Sequence, residues 1–394
     1  MNKRIYLDYA ATTPVKEEVF QAMKPYFTEA FGNPSSVYSY GREGKQAIDT
    51  ARKQVAKAIG SKTDEIFFTG GGSEADNWAI KGIAYANKNK GKHIITSNIE
   101  HHAVLHTCEY LEKEGFKVTY LEVDEYGQIR IEDLKKAITD ETILITIMFA
   151  NNEVGTIQHI KEIGEIAREH KIYFHTDAVQ ALGNVKIDVN ELNIDLLSVS
   201  AHKVYGPKGV GALYVRKGIK LFSFIHGGAQ ERRRRAGTEN VAGIVGFGKA
   251  AEMATENLEE HVSKIKKLRD KLIDGINERI KYVRLNGHPT DRLPGNVNFV
   301  FEFIEGESLL LSLDLIGVAG SSGSACTSGS LDPSHVLMAL GLPHEIAHGS
   351  LRLTIGDFTT EEDIDYVLEN LPKIVDRLRM MSPLYEEVLK GGQK

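Results

Sequence analysis

Cysteine is nearly absent. Only Cys108 and Cys326 occur in 394 residues, too few for a disulfide framework in a chain of this size and suited to a reducing compartment. No stretch approaches the roughly 18 uninterrupted apolar residues of a membrane span. The opening Met1-Asn2-Lys3-Arg4 runs straight into a strand-like segment with no apolar signal core. These absences set the expectation of a cytoplasmic protein without a membrane partner. Excess positive charge is missing too. A net charge of -6 and a pI near 6.2 argue against nucleic acid as a direct partner. Arg232-Arg233-Arg234-Arg235 is the one dense basic run, and being short and isolated it reads as a solvated loop or a phosphate contact. No internal repeat occurs, and no low-complexity tract apart from one Gly/Ser-rich loop. His-rich metalloprotease spacing, a Walker A loop and a G-x-G-x-x-G fingerprint are likewise missing.

What remains is an ordinary globular composition, 42% apolar and 26% charged, in a chain long enough for two domains. Short apolar runs alternate with helical stretches: Ile66 to Thr69, His93 to Ser97, Val118 to Leu121, Thr142 to Phe149, Ile172 to His175 and Ile194 to Val199. That rhythm predicts an α/β sheet, mostly parallel, with helices on both faces. Helical patterns cover Val15 to Phe27 and Arg42 to Ile59. A long charged helical stretch from about Asn240 to Arg279 reads as the bridge to a smaller α+β domain with strands at Val283 to Leu285 and Asn296 to Phe301. The expected division is a large domain over 15–255 and a small one made of 1–14 and 256–394.

Chemistry concentrates at strand ends. Lys203 closes the run Ile194 to Val199, flanked by Ser200 and His202, with Gly206-Pro207 beyond. A lysine short of water loses its proton more readily and becomes a nucleophilic amine, the form that makes a Schiff base with an aldehyde. Ser200 and His202 are donors able to hold a phosphate beside it. Taken alone, a strand-end lysine more often keeps its ammonium in water. Asp177, in His175-Thr176-Asp177-Ala178-Val179-Gln180, ends the preceding strand, where a carboxylate is placed to face a ligand crevice. Thr69-Gly70-Gly71-Gly72-Ser73-Glu74 follows another strand and opens a helix, a backbone cradle for an anion, or simply a change of direction. Glu100-His101-His102 and Ala150-Asn151-Asn152-Glu153 stand at two further junctions. Arg352 lies inside the apolar run Leu351 to Thr354, where it needs a carboxylate, from a ligand or from a neighbouring side chain. Gly320 to Ser330 is almost all glycine and serine around Cys326, a poor place for a structural thiol. Asp332 and Pro333 read as the cap and first residue of a helix that stops near Gly341.

From Tyr6-Leu7-Asp8-Tyr9-Ala10-Ala11-Thr12-Thr13-Pro14 to Ser382-Pro383-Leu384-Tyr385, nearly the whole chain resembles the cysteine desulfurases of the NifS/IscS type, within the class V aminotransferase fold. The resemblance implies fold type I, with a mostly parallel seven-stranded sheet plus the smaller α+β domain. It also implies pyridoxal 5'-phosphate, bound covalently by Lys203. Gly72, Ser73, Ser200 and His202 would hold its phosphate, and Asp177 would keep the pyridine nitrogen protonated. His101 would stack on the ring and carry protons, Gln180 would meet the ring oxygen, and Asn152 would reach both cofactor and substrate carboxylate. Arg352 would clamp that carboxylate. The family often has a basic residue after the glycine beyond that arginine, whereas here Asp357 follows Gly356. Thr238, in Arg234-Arg235-Ala236-Gly237-Thr238, would reach the phosphate of a partner's cofactor, which implies a homodimer with shared active sites. The implied reaction converts L-cysteine to L-alanine and leaves sulfur on Cys326 as a persulfide. An iron–sulfur scaffold or another sulfur acceptor would receive it. No resident metal is implied, although Cys326 could bind a transferred iron–sulfur cluster through its persulfide. Selenocysteine lyase or another class V aminotransferase is the alternative activity. Cys108, in a helical pattern with Val104, Leu105 and Leu111, reads as structural.

Overall fold

The computed structural model describes residues 4–322 and 333–386. Its strands are β1 (Ile5–Tyr6), β2 (Ile66–Thr69), β3 (His93–Ser97), β4 (Lys117–Leu121), β5 (Thr142–Thr146), β6 (Tyr173–Asp177), β7 (Leu196–Ser200), β8 (Gly211–Val215), β9 (Val283–Leu285), β10 (Asn296–Phe301), β11 (Val318–Ala319) and β12 (Ser350–Thr354). Seven of them form one sheet in the order β2-β8-β7-β6-β5-β3-β4. Every pairing from β7 across to β4 is parallel, and β8 alone runs antiparallel to its neighbours β2 and β7. Sequence reasoning passed over β8, because its apolar run merges with the turn motif around Lys203.

The strands β2, β3, β5, β7 and β8 are buried along their whole length, as strands covered by helices on both faces must be. Successive side chains go to opposite faces. Ile66 and Phe68 join a core with Val55, Ile145, Phe174, Leu197 and Phe247, while Phe67 joins another with Trp78, Leu111, Leu144 and Leu213. A third core gathers Ile5, Leu7, Leu272, Phe299, Leu351 and Val367 around the sheet β12-β10-β9.

Three helix expectations shift. The stretch from Asn240 is two helices, Val241–Glu256 and Leu258–Arg279, broken at Asn257 (φ -127°, ψ 43°). The break lets Phe247 and Ala250 face the first core while Ile265 and Leu272 face the third. The N-terminal helix stops at Met23, and Pro25 opens a separate turn, Pro25–Thr28, because proline's ring clashes with the preceding turn of a continuous helix. The helix expected from Asp332 runs over His335–Ala339, capped by the Ser334 hydroxyl, which accepts from the Val336 and Leu337 amides. Among the described residues no helix is long and apolar enough to cross a membrane.

Because β8 reverses direction, β2 points the same way as the parallel set. The C-terminal ends of β2, β3, β5, β6 and β7 therefore open at one edge of the sheet, where α/β sheets bind their ligands.

Candidate active site

Lys203 lies in a 3-10 turn, Ala201–Lys203, directly after β7. Its Nζ donates to the carbonyls of Ala10 (2.5 Å) and Ala11 (2.7 Å). Gln180 Nε2 donates to the same Ala10 carbonyl at 2.9 Å. The chain from Asp8 to Lys16 thus straps the lysine turn. Thr12 Oγ1 meets His202 Nδ1 at 3.1 Å, and Thr13 Oγ1 both donates to the His202 carbonyl (3.0 Å) and accepts from the Tyr205 amide (2.8 Å). Burial, then the charges of Lys203 and Lys208, push His202 down to about 4. It is a neutral hydrogen-bonding ring at pH 7, not a second cation.

Asp177 ends β6, buried, with Oδ1 accepting from the Val179 amide at 2.9 Å. Burial raises its pKa, and the charges of His101 and Lys203 oppose that rise. Behind it lies a buried polar network that sequence reasoning did not find. Asp76 is held well above the usual carboxylate range by burial and by Asp177. His175 Nε2 lies 3.0 Å from Ser198 Oγ and 3.7 Å from Asp76 Oδ1, and its Nδ1 meets Thr146 Oγ1 at 2.8 Å. Burial drives His175 down to about 3, so that ring is neutral. The signal for Asp76 was present as a carboxylate on the buried side of the helix Gly72–Asn87.

His101 caps the helix His102–Lys113, its Nδ1 accepting from the Ala103 amide at 3.1 Å. His102, given no role from sequence, packs against His106 and His335 with ring centroids 5.0 and 4.8 Å apart. Arg352 is 2% exposed and comes over from β12. Its Nη1 donates to the Asn152 carbonyl (3.0 Å) and its Nη2 to Asp8 Oδ1 (2.9 Å). Both sequence readings of this arginine therefore bear on the same side chain: it is ion-paired within the chain, and it reaches the asparagine expected beside the substrate. Next to Asn152, buried Glu153 accepts from Ser334 Oγ and is raised to about 7 by burial.

The glycine turn, the candidate anion cradle, is set by close packing. A Cβ at Gly72 would sit 2.8 Å from Val179 Cγ2 and in ordinary contact, 3.6 Å, with Ser200 Cβ, so it is the approach to Val179 that favours glycine at the helix start. Behind the turn, a Cβ at Gly211 would lie 2.7 Å from the Gly71 carbonyl carbon. Ser73 is exposed at the helix start. Lysine, buried carboxylate, imidazole and glycine turn fit a phosphorylated pyridine aldehyde. Arg235 supports the cradle through Glu74, at 2.8 and 3.0 Å. Thr238 is exposed. A cavity of about 240 Å³ shares Lys203 and Gln180 with the site but borders none of His101, Asp177 and Arg352. Cys326 lies outside the described residues. Cys108 is buried, and burial pushes its thiol up, as befits a structural cysteine.

The aminotransferase class-V family model matches residues 5–367. Over their full lengths, the chain is 64% identical to cysteine desulfurase IscS of Clostridium botulinum. Among solved structures, a NifS-like protein superposes with a TM-score of 0.90 at 39% identity, covering 95% of this chain and all of that one. SspA in complex with cysteine superposes at 0.80 with 40% identity, over 90% of this chain and all of that one. The chain belongs to the class V aminotransferase family, in its cysteine desulfurase branch of the NifS/IscS type.

Proposed function

We propose that this enzyme is a pyridoxal-phosphate-dependent cysteine desulfurase that converts L-cysteine to L-alanine and loads the sulfur on Cys326. The observation that carries the reading is the meeting of Asp177, His101 and Lys203 at one sheet edge, with Arg352 brought to Asn152 from the third core. Gly72, Ser73, Ser200 and His202 would hold the cofactor's phosphate, Gln180 its ring oxygen, and Lys203 its aldehyde carbon. When bound, pyridoxal phosphate withdraws electrons from the substrate's α-carbon. Asp177 keeps a proton on the pyridine nitrogen. Arg352 and Asn152 orient the α-carboxylate, a planar bidentate match. Lys203 takes the α-proton, and His101 moves a proton at the ring face. The Cys326 thiolate attacks the substrate sulfur, the carbon–sulfur bond breaks with its electron pair left on the β-carbon, which takes a proton, and Lys203 returns the α-proton. The products are alanine and a Cys326 persulfide. Thiolate is the reactive form, so activity depends on a base or charge near Cys326.

The working unit in this reading is a cytoplasmic homodimer in which Thr238 reaches the partner's cofactor. Each chain divides into 15–255 and 1–14 with 256–394, and the persulfide passes to an iron–sulfur scaffold or another sulfur acceptor. The test is the mass of the Cys326 peptide after the cofactor-loaded protein meets L-cysteine without reductant, with alanine measured in parallel. A gain of one sulfur atom matched by alanine is expected. Alanine without that gain would move the protein to a lyase such as selenocysteine lyase. Neither product from a loaded sample would overturn the reading.

A further inference from the structure

Asp8 stands at the crossing of the two halves of the site. Its backbone bridges Thr354 of β12, and the Ala10 amide donates to Thr354 Oγ1 at 2.9 Å. Within the next few residues the Ala10 and Ala11 carbonyls hold Lys203 and the threonine pair holds the lysine turn. The Tyr6 hydroxyl staples this arm by donating to the carbonyls of Asp8 and Thr12, each at 2.9 Å. A shift of Asp8 is therefore transmitted to the segment that touches Lys203.

The side chain of Asp8 holds Arg352 where a ligand would need it. A buried guanidinium requires a counter-charge, and Asp8 supplies it at Nη2. Nη1 is committed to the Asn152 carbonyl, and Nε has no hydrogen-bond partner among the described residues. A bidentate carboxylate takes two N–H groups on one edge of the fork. Here that edge is Nε with Nη2, and the second of these is the one Asp8 engages through a single oxygen.

We propose that Asp8 is a stand-in carboxylate, pairing with Arg352 until the α-carboxylate of an amino acid displaces it, and that its displacement loosens the arm from Asp8 to Thr13. The inference rests on the reading of Arg352 as the α-carboxylate clamp. The exchange is driven by differential contact: two hydrogen bonds on the Nε–Nη2 edge replace one, and two carboxylates beside one guanidinium repel each other. It makes occupation of the carboxylate subsite felt at the segment that holds the lysine amine.

The experiment titrates cofactor-loaded wild type, Asp8→Asn and Arg352→Gln with L-alanine, which carries the α-carboxylate without the sulfur, by calorimetry. Removing the competing charge is expected to tighten L-alanine binding to Asp8→Asn by about tenfold. Arg352→Gln is expected to lose binding. Unchanged or weaker binding by Asp8→Asn, with binding lost in Arg352→Gln, would overturn the stand-in role and leave the clamp intact. Wild-type binding by Arg352→Gln would instead overturn the clamp, and the inference with it. Hydrogen exchange in the unmodified enzyme gives a second reading that needs no variant. The Ala11 and Thr13 amides, bonded to Asp8 O and His202 O, are expected to exchange faster with L-alanine bound. Equal or slower exchange would overturn the loosening of the arm.

Discussion

Glu100 lies beneath the site with its two oxygens treated unequally. Oε1 accepts from Ser97 Oγ (2.6 Å) and the Met148 amide (2.9 Å), while Oε2 has no partner among the described residues. Burial lifts its pKa from the ordinary 4.5 to about 8, so at pH 7 it is a neutral acid. The folded protein keeps this proton while the unfolded chain sheds it. Glu100's contribution to stability is thus full below about pH 4.5 and is lost as pH rises to about 8. Glu100→Gln keeps the accepting oxygen and removes the titration. Denaturant unfolding of the cofactor-free protein at pH 5 and pH 8.5 is expected to show a decline in wild type that exceeds the variant's by about 3 kcal/mol. Equal declines in the two proteins would mean that Glu100 titrates normally. The same residue measures what sequence reading can reach. Glu100-His101-His102 reads as a strand-to-helix junction, and the family resemblance gives His101 its role. The glutamate was passed over because nothing local distinguishes a buried carboxyl from a solvated one. Asp76 sits on the buried side of its helix, but His175, which lies beside it, comes from about 100 residues along the chain.

The basic run at Arg232 shows the corresponding limit for an element. Glu231, Arg232 and Arg233 take φ of +44°, +57° and +65°, left-handed backbone that costs roughly 1–2 kcal/mol per non-glycine residue. Buried contacts hold it. Arg52, on the helix Ser39–Ala58, bonds both oxygens of Glu231 at 2.7 and 2.8 Å, and Glu231 also accepts from the Phe68 amide at 3.0 Å. Arg232 packs over the Phe67 ring, with its guanidinium 4.2 Å from the centroid. The run, expected to be a solvated loop or a phosphate contact, keeps Arg232 and Arg233 exposed while it staples the sheet to the segment leading to Thr238. Glu231 reaches buried Arg52 and Arg235 reaches half-buried Glu74, each some 160 residues or more away in sequence, and that distance hid them. Arg52→Met leaves Glu231 buried without its counter-charge, and a loss of about 3–5 kcal/mol is expected in urea unfolding. A loss under about 0.5 kcal/mol would show the pair to be dispensable. Strand signals were read more securely than this turn, because most strands here are short apolar runs bounded by turn residues. β8 is the exception.

For the whole molecule, the informative surface is apolar. Phe27, Phe31, Val37 and Tyr38 are each more than half exposed within one short stretch of chain, more than a solitary surface aromatic would explain. In the dimer proposed above, a partner chain would cover this stretch and receive Thr238 at its own cofactor site. Thr238→Ala is expected to release pyridoxal phosphate severalfold faster on dilution, with the dimer intact by sedimentation. Cofactor retention equal to wild type, or a monomer at working concentration, would count against shared sites. The sequence by itself determined the repertoire: an α/β sheet from buried strands, a glycine turn for an anion, and a lysine and a carboxylate at strand ends. Those features are local, set by apolar runs and backbone freedom within a few residues. Only the tertiary structure decided which groups meet and which carry charge. Asp8 reaches Arg352 across 344 positions; Glu100 holds its proton, and Asp76 is pushed well above the usual carboxylate range, because packing removes water from them. Pairing and desolvation are properties of the assembled fold, and no short window of sequence contains them.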